Sequence, residues 1–270
     1  MTDSFWRDPP WRGGKGGYRM GLRPIQPQRW LSARISDAER SRKQQLLDEP
    51  SATVFAALEG SRPGQQKIFD AVAEFIDAQP GHRRDITQPL VSAALLVPDD
   101  LCLMERDADS YRLTAACVCS PSYWQLTEKI GRTLEGIHGP VPTLNDKLGP
   151  TMLQFFDRLP DGAVFERRNW LIHTNPEPYQ PRSETWQTVA QEGAEKLVVR
   201  SERQTLRRLD PTAVVFTIRV SCHPLIEIVS HREAARDMLS AFETMDPAER
   251  SATGYRFFGP AVTSLLQSVT

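Results

Sequence analysis

The sequence predicts an α+β fold, an antiparallel sheet flanked by helices at both ends. Three observations predict it. Segments rich in Val, Ile, Phe and Tyr, with strand-like character, fall between residues 93 and 222. They are joined mainly by short polar turns instead of the helical crossovers that a parallel sheet needs. Segments whose apolar residues recur every three or four positions lie on both sides of them.

Taken in order, residues 1–28 hold Trp6, Trp11, Pro9, Pro10 and the run Gly13-Gly14-Lys15-Gly16-Gly17. So much Gly and Pro predicts an arm that gains order only by lying on the body of the protein. The glycine run has no strand before it and no Lys-Ser/Thr ending, which argues against a phosphate loop. Residues 35–47 read as a charged helix, with Leu46, Leu47, Val54 and Phe55 as an apolar edge. Residues 65–78 form a better one, because Ile68, Val72, Phe75 and Ile76 share a face, and Pro80-Gly81 stops it. Two apolar runs, 93–104 and 111–119, flank the charged turn 105–109 and read as a hairpin. A helix is expected next, capped by Ser120 or Ser122 and ended by Gly131, then a short turn over 134–137. Residues 147–159 give an amphipathic helix that Pro160-Asp161-Gly162 terminates. Residues 164–172 alternate as a strand, and 175–187 read as loop. The runs 196–209, bending at Glu202, and 213–222 pair as a hairpin through Asp210-Pro211-Thr212. Helices return at 232–245 and 259–268. With no internal repeat and no separating linker, residues 29–270 are expected to form a single α+β domain.

Composition excludes several functions. The 33 basic and 34 acidic side chains nearly cancel, leaving no overall basic field for nucleic acid. No window reaches the roughly 18 uncharged apolar residues of a membrane helix. The charged amino terminus lacks a leader's apolar core, and Cys102, Cys117, Cys119 and Cys222 sit in apolar runs. Both features suit reduced thiols in a cytoplasmic protein.

Among candidate site residues, His138 stands directly before Gly139-Pro140-Val141-Pro142. Two prolines one residue apart stiffen the backbone, so this imidazole is held in place. A surface or capping histidine is the ordinary alternative. His173 and His223, each at the end of a strand, carry the same two readings. Cys117 and Cys119 fall on one face of a strand with no second pair at zinc-like spacing, and iron-sulfur and haem-attachment spacings are absent. The densest polar run is residues 200–208, which reads either as a solvated edge strand or as a site. Arg167, Arg168 and Arg219 add cations to core strands, where an ion needs a partner such as a carboxylate. Glu166, Glu202 and Glu227 are the ordinary partners.

Several motifs together point further. Tyr18-Arg19-Met20-Gly21-Leu22-Arg23-Pro24, Asp100-Leu101-Cys102-Leu103-Met104 and Leu113-Thr114-Ala115-Ala116 come first. Ile137-His138-Gly139-Pro140-Val141-Pro142, Phe156-Asp157-Arg158-Leu159, Arg168-Asn169-Trp170 and Glu202-Arg203-Gln204-Thr205-Leu206-Arg207-Arg208-Leu209 follow in consistent order. This set resembles the haem-dependent oxidative N-demethylase family from about Tyr18 to about Pro224. The resemblance implies haem b held in a PAS-like fold and, in the characterised type, oxidative removal of a methyl group from dimethylamine. His138 then takes the role of proximal iron ligand, ahead of His173 and His223, which lie just past the motifs at positions where the family is not expected to demand histidine. Glu202, Arg203 and Gln204 are the expected catalytic residues. Arg168, Asn169, Trp170 and Arg219 are expected to bind the cofactor, arginines meeting its propionates. The substrates are a small alkylamine and oxygen, and formaldehyde is released. No flavin or nicotinamide fingerprint is present, so electrons are expected from a separate flavin and iron-sulfur reductase. A haem sensor or binding protein without turnover is the alternative.

Overall fold

The computed structural model describes residues 3–32, 34–77, 88–139, 144–182, 193–252 and 255–270. Its strands are β1 (Arg23–Ile25), β2 (Phe55–Ala57), β3 (Asp100–Asp107), β4 (Ser110–Cys117), β5 (Val164–His173), β6 (Val198–Asp210) and β7 (Ala213–Pro224). Its helices are α1 (Asp3–Arg7), α2 (Asp37–Asp48), α3 (Arg62–Phe75), α4 (Pro89–Ala94), α5 (Leu126–Lys129), α6 (Leu134–His138), α7 (Leu144–Arg158), α8 (Arg232–Thr244), α9 (Pro247–Ala252) and α10 (Tyr255–Gln267). All seven strands join one antiparallel sheet in the order β1-β5-β6-β7-β3-β4-β2, with helices before and after it, as the sequence predicts.

The sheet has two differently furnished faces, set by the two-residue period of its strands. Leu101, Leu103, Ala115 and Val215 point to one side and pack with Ile68, Phe69 and Val72 of α3 and Leu90 of α4. Their neighbours Cys102, Met104 and Phe216 point to the other, toward Leu134 of α6 and Phe156 of α7, and a register shift between Leu103 and Met104 turns Leu113 to the same side. A third cluster joins Trp6 and Trp11 to Ile172, Val199, Met238, Phe242, Val262 and Leu266. Below the sheet Lys43 is fully buried, its ammonium donating to the carbonyls of Ala94 (3.2 Å), Val97 (3.2 Å) and Asp99 (2.7 Å) and lying 3.8 Å from the Asp100 carboxylate. Asp100 in turn accepts from the amides of Cys119 (2.9 Å) and Ser120 (2.8 Å), which pins the chain where β4 ends.

Several boundaries differ from the sequence reading. The run 93–104 is not one strand, because Pro89 starts a helical turn that carries Ala93 and Ala94, and the strand begins only at Asp100. The helix expected over 120–131 shrinks to Leu126–Lys129, since Pro121 and the left-handed Tyr123 (φ 62°) keep the chain extended and turning first. The short strands β1 and β2 and the helix α9 carry too few residues for a periodic signal. The Pro80-Gly81 stop and the prolines Pro140 and Pro142 lie outside the described residues, as do residues 183–187 of the run expected to be loop.

The glycine run proves to be a strap. The Gly13 amide donates to Asp237 Oδ2 (2.7 Å), the Gly16 amide to Thr244 Oγ1 (2.7 Å) and the Tyr18 amide to Glu249 Oε1 (3.1 Å), tying it to α8 and α9. Gly16 is required by closeness, because a Cβ there would collide with the Ala241 carbonyl of α8. Replacing Gly16 with Ala should therefore cost about 1–3 kcal/mol in thermal unfolding, as overpacking does. An unchanged melting temperature would show that the strap does not rest on α8.

Candidate functional site

Between the strap, α6, α7 and the second face of the sheet lies a cavity of about 890 Å³, within the range of small-molecule and cofactor sites. Its apolar wall is built by strand parity. Register sets Cys102 opposite Phe216, Met104 opposite Leu113, and Gln204 opposite Ile218, so these side chains share a face. Ile137 of α6 and Leu144, Leu148 and Met152 of α7 complete that wall, and Tyr18 and the arm line another side. Lys147 pairs with Asp246 and Glu249 beside Tyr18, whose phenol is pushed up by burial and by those two carboxylates.

His138 ends α6 and lines this cavity. Its Nδ1 lies 2.8 Å from the Leu134 carbonyl, one turn back. A carbonyl only accepts, so Nδ1 carries the proton and a neutral ring keeps its lone pair on Nε2. Burial, with the nearby charges of Arg167 and Lys129, pushes this imidazole below its ordinary value and favours the neutral form. A histidine whose second nitrogen is fixed by a backbone carbonyl is the arrangement that metal-binding imidazoles use. It is the only histidine lining the cavity among the described residues.

Opposite stand the polar residues of β5 and β6. Register places Asn169 across from Glu202 and Arg167 across from Gln204, all four lining the cavity. The Glu202 carboxylate is 7% exposed and accepts from Ser122 Oγ, Gln204 Nε2 (2.7 Å) and Asn169 Nδ2 (3.4 Å). Ser122 can donate to it because its hydroxyl accepts from Arg200 Nε (2.7 Å). Arg200 is fully buried and held by the carbonyls of Ser120, Pro121, Glu177 and Pro178. The Arg167 guanidinium makes no hydrogen bond or ion pair among the described residues. Burial lowers its pKa and the Glu202 charge opposes the shift. A guanidinium in this state favours an incoming anion or a polarisable oxygen.

Two of the remaining expected residues, Arg203 and Arg219, go elsewhere, for reasons of parity. Arg203 projects from the opposite face of the sheet, donating to Glu166 Oε2 (2.6 Å) and to the Trp30 carbonyl (3.0 Å). Although burial opposes it, Arg23 and Arg203 hold the Glu166 carboxyl below its ordinary value. Arg219, paired in register with Arg203, meets Glu39 at 2.7 Å. Neither lines the cavity, so the structure does not bring them to Glu202. Arg168 and Trp170 reach the rim from the same edge of β5. Arg168 donates to the Asp8 carbonyl (2.7 Å) and carboxylate (3.0 Å), and Trp170 packs on Trp11 and Phe242. Burial raises Cys102 strongly, leaving a thiol in the wall.

His173 and His223 are both diverted from the cavity. His223 stacks on Phe5 with centroids 3.6 Å apart. His173 is fully buried behind Tyr123, its ring parallel to the phenol at 4.0 Å, and its Nδ1 meets Gln180 Oε1 at 2.9 Å. Its Nε2 has no partner among the described residues, and burial pushes the imidazole down to about 3. The sign follows directly. Below the ordinary value of 6.5 the unfolded chain takes up a proton that the folded chain refuses, so stability is lost as pH falls from there toward 3. His173 alone should contribute a slope of up to about 1.4 kcal/mol per pH unit in that window. Urea titrations at stepped pH should show the slope flatten in a His173→Phe variant, and an unchanged slope would exclude this residue as the cause.

Lys129, Ser122 and Tyr123 are not among the site candidates that the sequence marks, and Arg167 is marked there only as a cation on a core strand. Parity with Asn169 marks Arg167, whereas Tyr123 and Lys129 arrive through a turn without sequence periodicity. No helix among the described residues is long and apolar enough to cross a membrane. No curated protein matches the chain. A family model described as haem-dependent oxidative N-demethylase, alpha subunit-like, matches residues 73–262. The match takes in α6, β5, β6 and β7, leaves the Tyr18–Pro24 motif outside it, and runs past Pro224 into the last helix. With the match covering well over half of its length, the chain belongs to the haem-dependent oxidative N-demethylase, alpha subunit-like, family.

Proposed function

We propose that this chain binds haem b and catalyses the oxidative N-demethylation of a small alkylamine such as dimethylamine, releasing formaldehyde. The observation that carries the reading is His138, a neutral imidazole with Nδ1 fixed by Leu134 and Nε2 left as a lone pair at the wall of an 890 Å³ cavity. The other residues fit a haem as well. Cys102, Met104, Leu113, Phe216 and Ile218 offer an apolar surface to a flat macrocycle, and Arg12, Lys15 and Arg19 of the arm offer cations to its propionates. PAS-like describes the curved antiparallel sheet under this reading, with residues 29–270 as one domain.

When bound, haem supplies the redox chemistry that turns oxygen into an oxidant for a methyl C–H bond. His138 Nε2 would hold the iron, and the Leu134 carbonyl keeps the ring in the tautomer that binding needs. Glu202 holds the charged amine: its carboxylate is fixed from two sides by Ser122, Gln204 and Asn169, so little reorganisation accompanies binding of a cation. The Trp170 ring at the rim offers an electron-rich face to the same methylammonium group. Arg167, without a fixed partner, provides donors to a developing negative charge. The apolar wall and the strap over Tyr18 exclude water. A partner protein carrying flavin and an iron-sulfur cluster supplies electrons; the words "alpha subunit-like" in the family's description support a partner subunit. Reduced thiols at Cys102, Cys117 and Cys119 suit a cytoplasmic location.

The absorption spectrum of protein expressed with adequate iron, with and without reductant and amine, tests this. A Soret band that shifts with dimethylamine, together with formaldehyde on exposure of the reduced protein to oxygen, is expected. A Soret band without formaldehyde from mono-, di- or trimethylamine would favour a sensor, and no Soret band would end the haem reading.

A further inference from the structure

We infer that Trp170, Trp11 and Trp6 form a hole-transfer relay that drains strongly oxidising equivalents from the cavity to the Trp6–Glu227 pair, a protective activity separate from demethylation. It rests on the haem reading above. Trp170 lines the cavity, its ring centroid 5.0 Å from that of Trp11, and Trp11 lies 6.0 Å from Trp6. Trp6 continues to His231 at 6.0 Å with nearly parallel rings, at the half-buried start of α8. Trp11 is fully buried and Trp6 is 2% exposed, so solvent does not interrupt the path.

The hydrogen bonds give the path a direction. Trp11 Nε1 donates to the Ala234 carbonyl (2.8 Å), which cannot take the proton, whereas Trp6 Nε1 donates to the Glu227 carboxylate (3.0 Å), which can. An oxidised indole becomes a strong acid, so the vacancy comes to rest where the proton has somewhere to go. That place is Trp6. Tryptophan surrenders an electron only to a strong oxidant, and the relay is therefore silent toward the milder electrons that a reductase delivers.

The oxidant is a peroxide, and the balance is as follows. Trp170 gives one electron to the oxidised centre, Trp11 refills Trp170, and Trp6 refills Trp11. The Trp6 Nε1–H bond breaks, its proton passes to Glu227 Oε2, and a neutral indolyl radical remains. A soluble thiol returns one electron and one proton to the indolyl, and Glu227 releases its proton to solvent, which supplies the one that the peroxide takes up. Two passages reduce one hydrogen peroxide to two waters and oxidise two thiols to one disulfide.

The test uses the haem-loaded full chain, mixed with hydrogen peroxide without amine and frozen for electron paramagnetic resonance. Wild type should show a tryptophanyl radical that disappears in Trp6→Phe. In Trp11→Phe, peptide mass spectrometry should find oxygen added at Trp170 in place of Trp6, and the Soret band should bleach several-fold faster. Trp6→Phe carries the same bleaching comparison should Trp11→Phe fail to fold. No Soret band overturns the haem reading and the relay together. A Soret band with no tryptophanyl radical, or with equal bleaching in wild type and variants, overturns the relay alone.

Discussion

Protein carrying His138→Ala is expected to emerge without its Soret band, while its circular dichroism and melting temperature stay near wild type. The imidazole sits at the last residue of a five-residue helix and is half-buried at the cavity wall, so its removal subtracts little core burial. What it subtracts is the one lone-pair nitrogen of a histidine at the cavity wall among the described residues. Loss of a ligand should weaken haem retention by more than the roughly 10–100-fold that loss of an outer-shell partner costs. Free imidazole added to the variant should restore the band, which a folding defect would not allow. His173 cannot replace it from behind the Tyr123 ring, nor His223 from beneath Phe5. An unchanged band in His138→Ala, with loss in His173→Phe, would move the ligand and dismantle the site as described.

The fold was legible in the sequence where period and turn chemistry agree. Val214, Phe216 and Ile218 alternate cleanly, and Asp210 caps the turn before them by accepting from the amides of Thr212 (2.7 Å) and Ala213 (2.9 Å). The cavity was only half legible. Parity alone tells that Glu202 and Gln204 share a face and that Arg203 takes the other, but it does not tell which face is hollow. That depends on α6, α7 and the strap, whose contacts span most of the chain: Gly13 and Gly16 bind residues more than 220 positions away. Nothing local in a glycine run foretells such a partner. The motif around His138 marked the residue, but the feature that commits its tautomer is a hydrogen bond to Leu134, visible only once residues 134–138 are known to be helical.

Replacing Glu202 with Gln should leave the haem spectrum intact and lower kcat/KM for the amine by about two to three orders of magnitude. The carboxylate is almost fully buried, and three neutral donors hold it while Arg167 stands nearby without a fixed partner. Its negative charge is what a buried alkylammonium requires. Removing one member of a buried ionic pair costs about 3–5 kcal/mol, and each 1.4 kcal/mol is tenfold. Gln keeps the size, and its one oxygen can accept from Asn169 and Gln204 as Oε2 does, but its NH2 then replaces the acceptor Oε1 that Ser122 donates to. The loss should appear in amine binding as well as turnover, and a neutral substrate analogue should bind the variant as well as it binds wild type. Arg203→Gln serves as the control from the next position: its guanidinium faces Glu166 on the other side of the sheet, so stability should fall while amine affinity holds. Should the two variants exchange these effects, the charged amine would have to lie on the far face, and the cavity would not be the place where it binds.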